Sequence, residues 1–346
     1  MIHRLTAWVA DNGGRVGPLA ITGAAGARAA FAAEPLAEGV RLLDLPRACL
    51  FTQEAAASTP SGAFVAERWR GAARAQVVLA AGLASLRRAP PPFWAPWVDT
   101  LPTALPTNPL FFDAADLANL AGTSVDLLLP ARRERLREEY AALRSGVPGL
   151  DGLTEHEWRL ARTLVNSRAF HVDDAVGDAL VALADLLDHA PNPESTWAFD
   201  EGRFTLSAAC DVPAGAPVRD GYGPKSDARL LLHYGFTVAD NPVRAVWLDF
   251  GELGPAALPD DATTRTAHEV LEALGATSDD LGERRAGWER LRAVCVARLA
   301  QLPDAPLPDT PNGRNAARVR AVDRDVLVGW VERAANALAN ENGARP

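Results

Sequence analysis

Apolar positions set the first divisions of the chain. Across residues 62–88, Val65, Trp69, Ala73, Val77 and Ala81 recur four apart, the spacing of one helical face, so the pattern predicts a helix there. Residues 1 to about 55 read instead as short strands broken by glycine turns. Residues 39–46 form one such strand, ending at Pro46, which has no donor for a ladder. Residues 89–94, Ala-Pro-Pro-Pro-Phe-Trp, read as a stiff connector of polyproline character. Residues 113–120 and 131–144 return to helical spacing, the second with Glu134, Arg135, Arg137, Glu138 and Glu139 on a solvated face. Thr154-Glu155-His156-Glu157 fits a capping box, opening a helix that delivers Ser167 and Arg168 at its C-terminal end.

Beyond that helix the period changes to two. Residues 195–199 and 203–207 alternate around Asp200-Glu201-Gly202, which predicts a β-hairpin. A turn at Pro213-Ala214-Gly215 leads to a predicted strand over 217–222 that Tyr222 closes. From 255 onward the chain reads as all-helical, with helices at 265–274, 281–302 and 315–340 and repeated prolines over 303–311 separating the last two. There is no internal repeat.

Composition narrows the class. A chain of 346 residues, 48% hydrophobic and 23% charged, is globular and long enough for one large domain with an insert and a smaller second one. No apolar run has the length of a membrane span, and the N-terminal residues lack the apolar core of a signal peptide, which places the protein in the cytoplasm without a membrane partner. A net charge of −9 argues against a nucleic-acid backbone as partner and is compatible with a basic one. Cys49, Cys210 and Cys295 lie far apart, which suggests neither a disulfide framework nor a thiolate zinc site. The oligomeric state is not written in the sequence.

The most informative stretch is Tyr222-Gly223-Pro224-Lys225-Ser226 followed by Leu230-Leu231-Leu232-His233-Tyr234-Gly235-Phe236. It is preceded by Asn166-Ser167-Arg168-Ala169-Phe170 and by Ala184-Asp185-Leu186-Leu187-Asp188-His189, and followed by Asn241-Pro242. In this order the blocks resemble the SET-domain methyltransferases related to Rubisco large-subunit methyltransferase. Trp8, Gly13-Gly14, the stretch from Gly26 to Ala32, Leu45-Pro46-Arg47, residues 97–102 and Leu120-Ala121-Gly122-Thr123 also fall in family order. The resemblance implies an α+β fold: a SET domain of short strands over 1–250 with a helical insert at about 60–165, followed by an all-α domain over 255–346 that docks a protein or peptide substrate.

It also implies a site. S-Adenosylmethionine would be the cofactor, held by Gly26, Arg28, Ser167, Arg168, Asp185, Asp188, His189 and Tyr222. Arg168 suits the cofactor's carboxylate because guanidinium is a planar, bidentate donor. Tyr222 would be the catalytic tyrosine orienting a substrate amine, with Tyr234 and Phe236 lining the channel. The implied activity is N-methylation of a lysine or histidine side chain in a protein or peptide. The alternatives are a binding module that keeps the fold without catalysis and an enzyme that uses the cofactor on another nucleophile. Three positions depart from the family pattern: Asp188 where asparagine is usual, Ala27-Arg28-Ala29 in place of Gly-Arg-Gly, and Asp227 where asparagine often follows Lys-Ser. No metal is expected: His171, Asp173, Asp174 and Asp178 match no ligand spacing, and the glutamates beside His156 have no second histidine four residues on.

Overall fold

The computed structural model describes residues 1–23 and 28–343. The strands are β1 (Arg15–Val16), β2 (Leu19–Thr22), β3 (Ala29–Ala32), β4 (Arg41–Pro46), β5 (Leu50–Thr52), β6 (Ala169–Asp173), β7 (Gly177–Val181), β8 (Ser195–Asp200), β9 (Arg203–Ala208), β10 (Ala245–Asp249) and β11 (Pro255–Pro259). The helices are α1 (Ile2–Asp11), α2 (Gln53–Ala57), α3 (Pro60–Arg68), α4 (Arg74–Arg88), α5 (Ala95–Val98), α6 (Ala114–Ala118), α7 (Ser124–Leu143), α8 (Glu155–Arg168), α9 (Asp227–Tyr234), α10 (Arg265–Ala273), α11 (Leu281–Gln301) and α12 (Pro311–Gly343). The chain divides into two compact units, one of Met1–Leu105 with Glu134–Gly223, the other of Pro106–Arg133 with Pro224–Pro346.

The first unit carries three small antiparallel sheets, β1-β4-β9-β8, β2-β3 and β5-β7-β6. The expected hairpin is present as β8 and β9, paired in register from Ser195↔Ala208 to Asp200↔Arg203. Phe204 and Leu206 are fully buried because alternate side chains of β9 face inward. The capping box is present: the Thr154 hydroxyl accepts from the Glu157 N–H at 3.2 Å, and the Glu157 carboxylate accepts from the Thr154 N–H at 2.8 Å. Those two bonds fix the start of α8, and so place its last residue, Arg168, one helix length away.

Three local expectations change in this unit. The chain opens with a helix, α1, whose Leu5, Trp8 and Val9 are buried together because spacings of three and four share one face. The helix expected over 62–88 is two helices, broken where Ala73 takes a left-handed φ of 53°. α3 starts at Pro60, whose missing N–H costs nothing at a first turn, with the Thr59 hydroxyl accepting from the Gly62 N–H. The predicted strand over 217–222 makes only single bridges, Phe31↔Pro217 and His189↔Asp220, so Tyr222 lies in a loop. The main-chain bonds of this segment are divided between two neighbours: the Val218 N–H donates to the Ala30 carbonyl of β3, and the Arg219 and Asp220 carbonyls accept from Ser195 and Ala190.

In the second unit, the expected all-helical stretch begins with a strand: β11 pairs with β10 from Ala245↔Pro259 to Asp249↔Pro255. Its prolines stand at the two ends, where a lost N–H is tolerated. Val246, Leu248 and Leu258 of this hairpin share a core with Leu291 and Cys295 of α11 and Val326, Leu327 and Trp330 of α12. Trp330 is fully buried and its indole N–H donates to the Pro259 carbonyl at 2.7 Å. Truncating such a residue to alanine costs about 3–5 kcal/mol. α9 ends at Gly235, where φ is 88° and a Cβ would lie 3.0 Å from the Thr107 hydroxyl, so only glycine fits.

Candidate active site

Most of the sequence-predicted site residues meet in the first unit. α8 ends at Arg168, whose Nη1 donates to the Ser167 hydroxyl at 3.1 Å. Its Nε is buried with no hydrogen-bond partner among the described residues. A short turn, Ala184–Leu186, follows β7; it is launched by Leu183, fully buried at φ 69° and ψ −41°, a conformation costly for a side chain branched beyond Cβ. This strained step puts Asp185 inside the protein instead of at the capping position that an aspartate near a helix end usually takes.

Asp185 is 7% exposed, and no hydrogen bond of normal geometry reaches either carboxylate oxygen. Burial pushes its pKa up to about 6, against the Arg168 charge first, then the Trp97 indole N–H and the Arg28 charge. Arg28 donates to the Thr100 carbonyl at 2.6 Å and to the Met1 thioether at 2.8 Å. A buried carboxylate and a buried guanidinium nitrogen that leave each other's hydrogen-bonding capacity unused are expensive to keep. Gly26, expected in the same site, lies outside the described residues.

No protein-family model matches the chain. Actin-histidine N-methyltransferases of Danio rerio and Homo sapiens are 26% identical to it over 221 residues, which is 60% of this chain and 37% of the length of each relative. The SET domain of LSMT bound to lysine and AdoHcy superposes with a TM-score of 0.81 at 16% identity, covering 99% of this chain and 92% of that one. Rubisco LSMT bound to AdoMet gives 0.81 at 16%, covering 99% and 93%. The chain has the SET fold of Rubisco large-subunit methyltransferase.

Within this SET fold, the loop after Asp220 runs beside the Asp188–His189 step. The Asp220 N–H donates to the Asp188 carbonyl at 2.8 Å, and the Ala190 N–H donates to the Asp220 carbonyl at 3.0 Å. The Tyr222 N–H approaches His189 Nδ1 at 3.1 Å, and the same ring nitrogen lies 3.3 Å from the Asp220 carbonyl. The two rings stack at 5.1 Å and 24°. The Tyr222 hydroxyl donates to the Leu187 carbonyl at 2.5 Å, so its oxygen keeps acceptor character. The Leu187 carbonyl therefore holds the tyrosine by its hydroxyl, and the His189 ring holds it by its backbone N–H. The Asp188 side chain itself is exposed.

Tyr234 and Phe236 belong to the second unit, with ring centroids 6.1 Å apart at 58°. Burial raises the Tyr234 phenol above its ordinary pKa. Asp227, one of the three departures from the family pattern, is 2% exposed and accepts from the Val238 N–H at 2.8 Å and the Asn241 amide at 3.3 Å. It ties the loop after α9 to Asn241, a structural use for a carboxylate acceptor.

Sequence reading missed three contributors. Thr100 supplies the carbonyl that orients Arg28, and Trp97 packs, fully buried, in the aromatic group of Phe51 and Trp94. Their stretch, residues 97–102, stood out only through family order. Asp220 is 3% exposed, with its pKa pushed to about 6 by burial, the Gly221 N–H opposing. Among the described residues there is no group of three or more histidine, cysteine or acidic side chains placed to hold a metal.

Proposed function

We propose that the protein is an S-adenosylmethionine-dependent N-methyltransferase acting on a lysine or histidine side chain of a protein or peptide. The observation that carries this reading is the buried, unsatisfied Asp185 beside the charge of Arg168 and its orphaned Nε. These groups fit a zwitterionic, sulfonium-bearing cofactor: Arg168 would take its carboxylate, and Asp185 is a negative site for its cationic part. When bound, the cofactor supplies the methyl group, and Arg28, Ser167, Asp188 and His189 complete its surroundings, largely through main-chain atoms.

Tyr222 acts on the acceptor. A phenol that donates to Leu187 presents its oxygen to an amine N–H, which turns the nitrogen lone pair away from that bond. A free lysine amine is overwhelmingly protonated near neutral pH, its ordinary pKa being about 10.4, so its proton must pass to water before attack. Apolar channel walls, the role that the family resemblance implies for Tyr234 and Phe236, would disfavour the charged form. The actin-histidine relatives and the lysine-bound LSMT structure support histidine and lysine as the two acceptor classes. In this reading the SET domain runs to about residue 250 and the region from about 255 docks the substrate, in the cytoplasm. Among the described residues, no helix is long and apolar enough to cross a membrane.

The test is methyl transfer from labelled S-adenosylmethionine to peptide and proteome substrates, with products mapped by mass. Tyr222→Phe should lower turnover by about 100-fold or more while cofactor affinity stays within about twofold. Cofactor binding without any transfer would favour another nucleophile, and no cofactor binding at millimolar concentration would favour a SET-derived binding module.

A further inference from the structure

Lys225 is the single lysine among 346 residues; the other 34 of the 35 cationic side chains are arginines. Lys225 carries a compact ammonium with three donors, unlike the planar guanidinium of every other cationic side chain in the sequence. Its backbone carbonyl accepts from the Asn241 amide at 3.0 Å, and its Nζ lies 5.7 Å from the centroid of the Tyr234 ring.

The lysine lines a cleft of about 750 Å³ within the second unit, together with Ser226, Arg229, Trp247, Asp260 and Asp261. Ser226 stands at the N-cap of the eight-residue helix α9, yet its side chain makes no capping bond. The residue is 4% exposed, and its hydroxyl has no hydrogen-bond partner among the described residues. The positive end of α9 is therefore uncapped, and a change of χ1 turns the serine hydroxyl without moving the backbone. Arg229, one turn in, rests over the Trp247 ring at 5.5 Å and donates Nε to His233 at 3.1 Å. Burial lowers the Lys225 pKa, and the Arg229 charge adds to the effect. The acidic residues of the cleft are already engaged: Asp260 by Arg244, and Asp261 by the Thr263 N–H and hydroxyl.

We propose that this cleft binds the carboxylate of an acidic residue in the peptide substrate, using Lys225, Ser226, Arg229 and the N-terminus of α9. An anion there caps the helix, satisfies the serine and relieves the repulsion between the two cations in a single contact. The peptide occupant rests on the methyltransferase reading; the recognition of a carboxylate does not.

The single lysine makes the test direct. Protein carrying 13C only at the lysine ε position gives one side-chain NMR resonance, which reports on the cleft without cofactor or turnover. Titration with N-acetyl-Ala-Glu-Ala-amide should shift it saturably, the Gln counterpart should leave it in place, and Ser226→Ala and Arg229→Gln should each weaken the Glu peptide, Arg229→Gln by about tenfold. No saturable shift at millimolar peptide, equal shifts with Glu and Gln peptides, or a shift with inorganic phosphate alone would overturn the proposal. The Glu-against-Gln comparison uses the unaltered protein, so it stands even if a variant fails to fold. A negative outcome leaves the methyltransferase reading intact, and failure of S-adenosylmethionine to bind leaves the carboxylate result intact.

Discussion

Two aspartates, one in each unit, are buried almost completely and are treated in opposite ways. Asp323 on α12 is 1% exposed and accepts from Ser124 twice, from the N–H at 2.6 Å and from the hydroxyl at 2.8 Å; that same hydroxyl accepts from the Trp247 N–H at 2.8 Å. Asp185 is 7% exposed, and no hydrogen bond of normal geometry reaches its carboxylate, the Trp97 indole N–H only lying near enough to lower its pKa. Burial raises both pKa values, to about 7 and about 6. Their difference is one of purpose. A satisfied buried carboxylate is part of the architecture, joining the start of α7 to α12, whereas an unsatisfied one is a cost to stability held for something that arrives later.

Removing each side chain should separate the two roles. Asp323→Ala should lose about 2–4 kcal/mol of stability, because it strands the buried Ser124 N–H and hydroxyl, and chemical denaturation measures this directly. Arg168→Ala should weaken S-adenosylmethionine by about 30-fold, roughly 2 kcal/mol, with a small change in melting temperature. If instead its stability collapses and its cofactor affinity holds, the site belongs to the architecture after all.

The comparison sharpens with pH. The folded-state pKa of Asp323 lies above the ordinary carboxylate value of 3.8, so the native state holds its proton more tightly than the unfolded chain does. The resulting stability is fully present below about pH 4 and is lost as pH rises through about 7. Denaturation midpoints of the native protein should fall over that window relative to Asp323→Asn, for which this contribution vanishes. The smallest effect is expected for Asp185→Asn: stability unchanged or raised, by less than about 1 kcal/mol, since no hydrogen bond of normal geometry is lost and a buried charge is removed.

Much of this arrangement was legible in the residues. The hairpin 195–208, the capping box at Thr154 and the delivery of Arg168 by α8 follow from local pattern and capping chemistry, which act over a few residues. The motif order around Tyr222 and Asp185 led to the SET fold. What was not legible depends on tertiary context. The left-handed Leu183 that turns Asp185 inward has no local signature, because a leucine there is strained and only its surroundings hold it. Trp97 and Thr100 act on the site through burial and a main-chain carbonyl, and neither is visible in side-chain type. The opening helix α1 was readable from Leu5, Trp8 and Val9, but the glycines that follow drew the reading toward strands.

The measurement that tests the central claim most directly is calorimetric titration of S-adenosylmethionine into the native protein and Asp185→Asn at pH 5 and pH 7.5. If Asp185 is held for the cationic part of the cofactor, the native protein binds at micromolar concentration at pH 7.5, binds up to about tenfold more weakly at pH 5, below the raised pKa of about 6, and releases a proton there on binding. Asp185→Asn then binds weakly at both. Equal affinity of the two proteins at both pH values, with no proton released, would contradict the account.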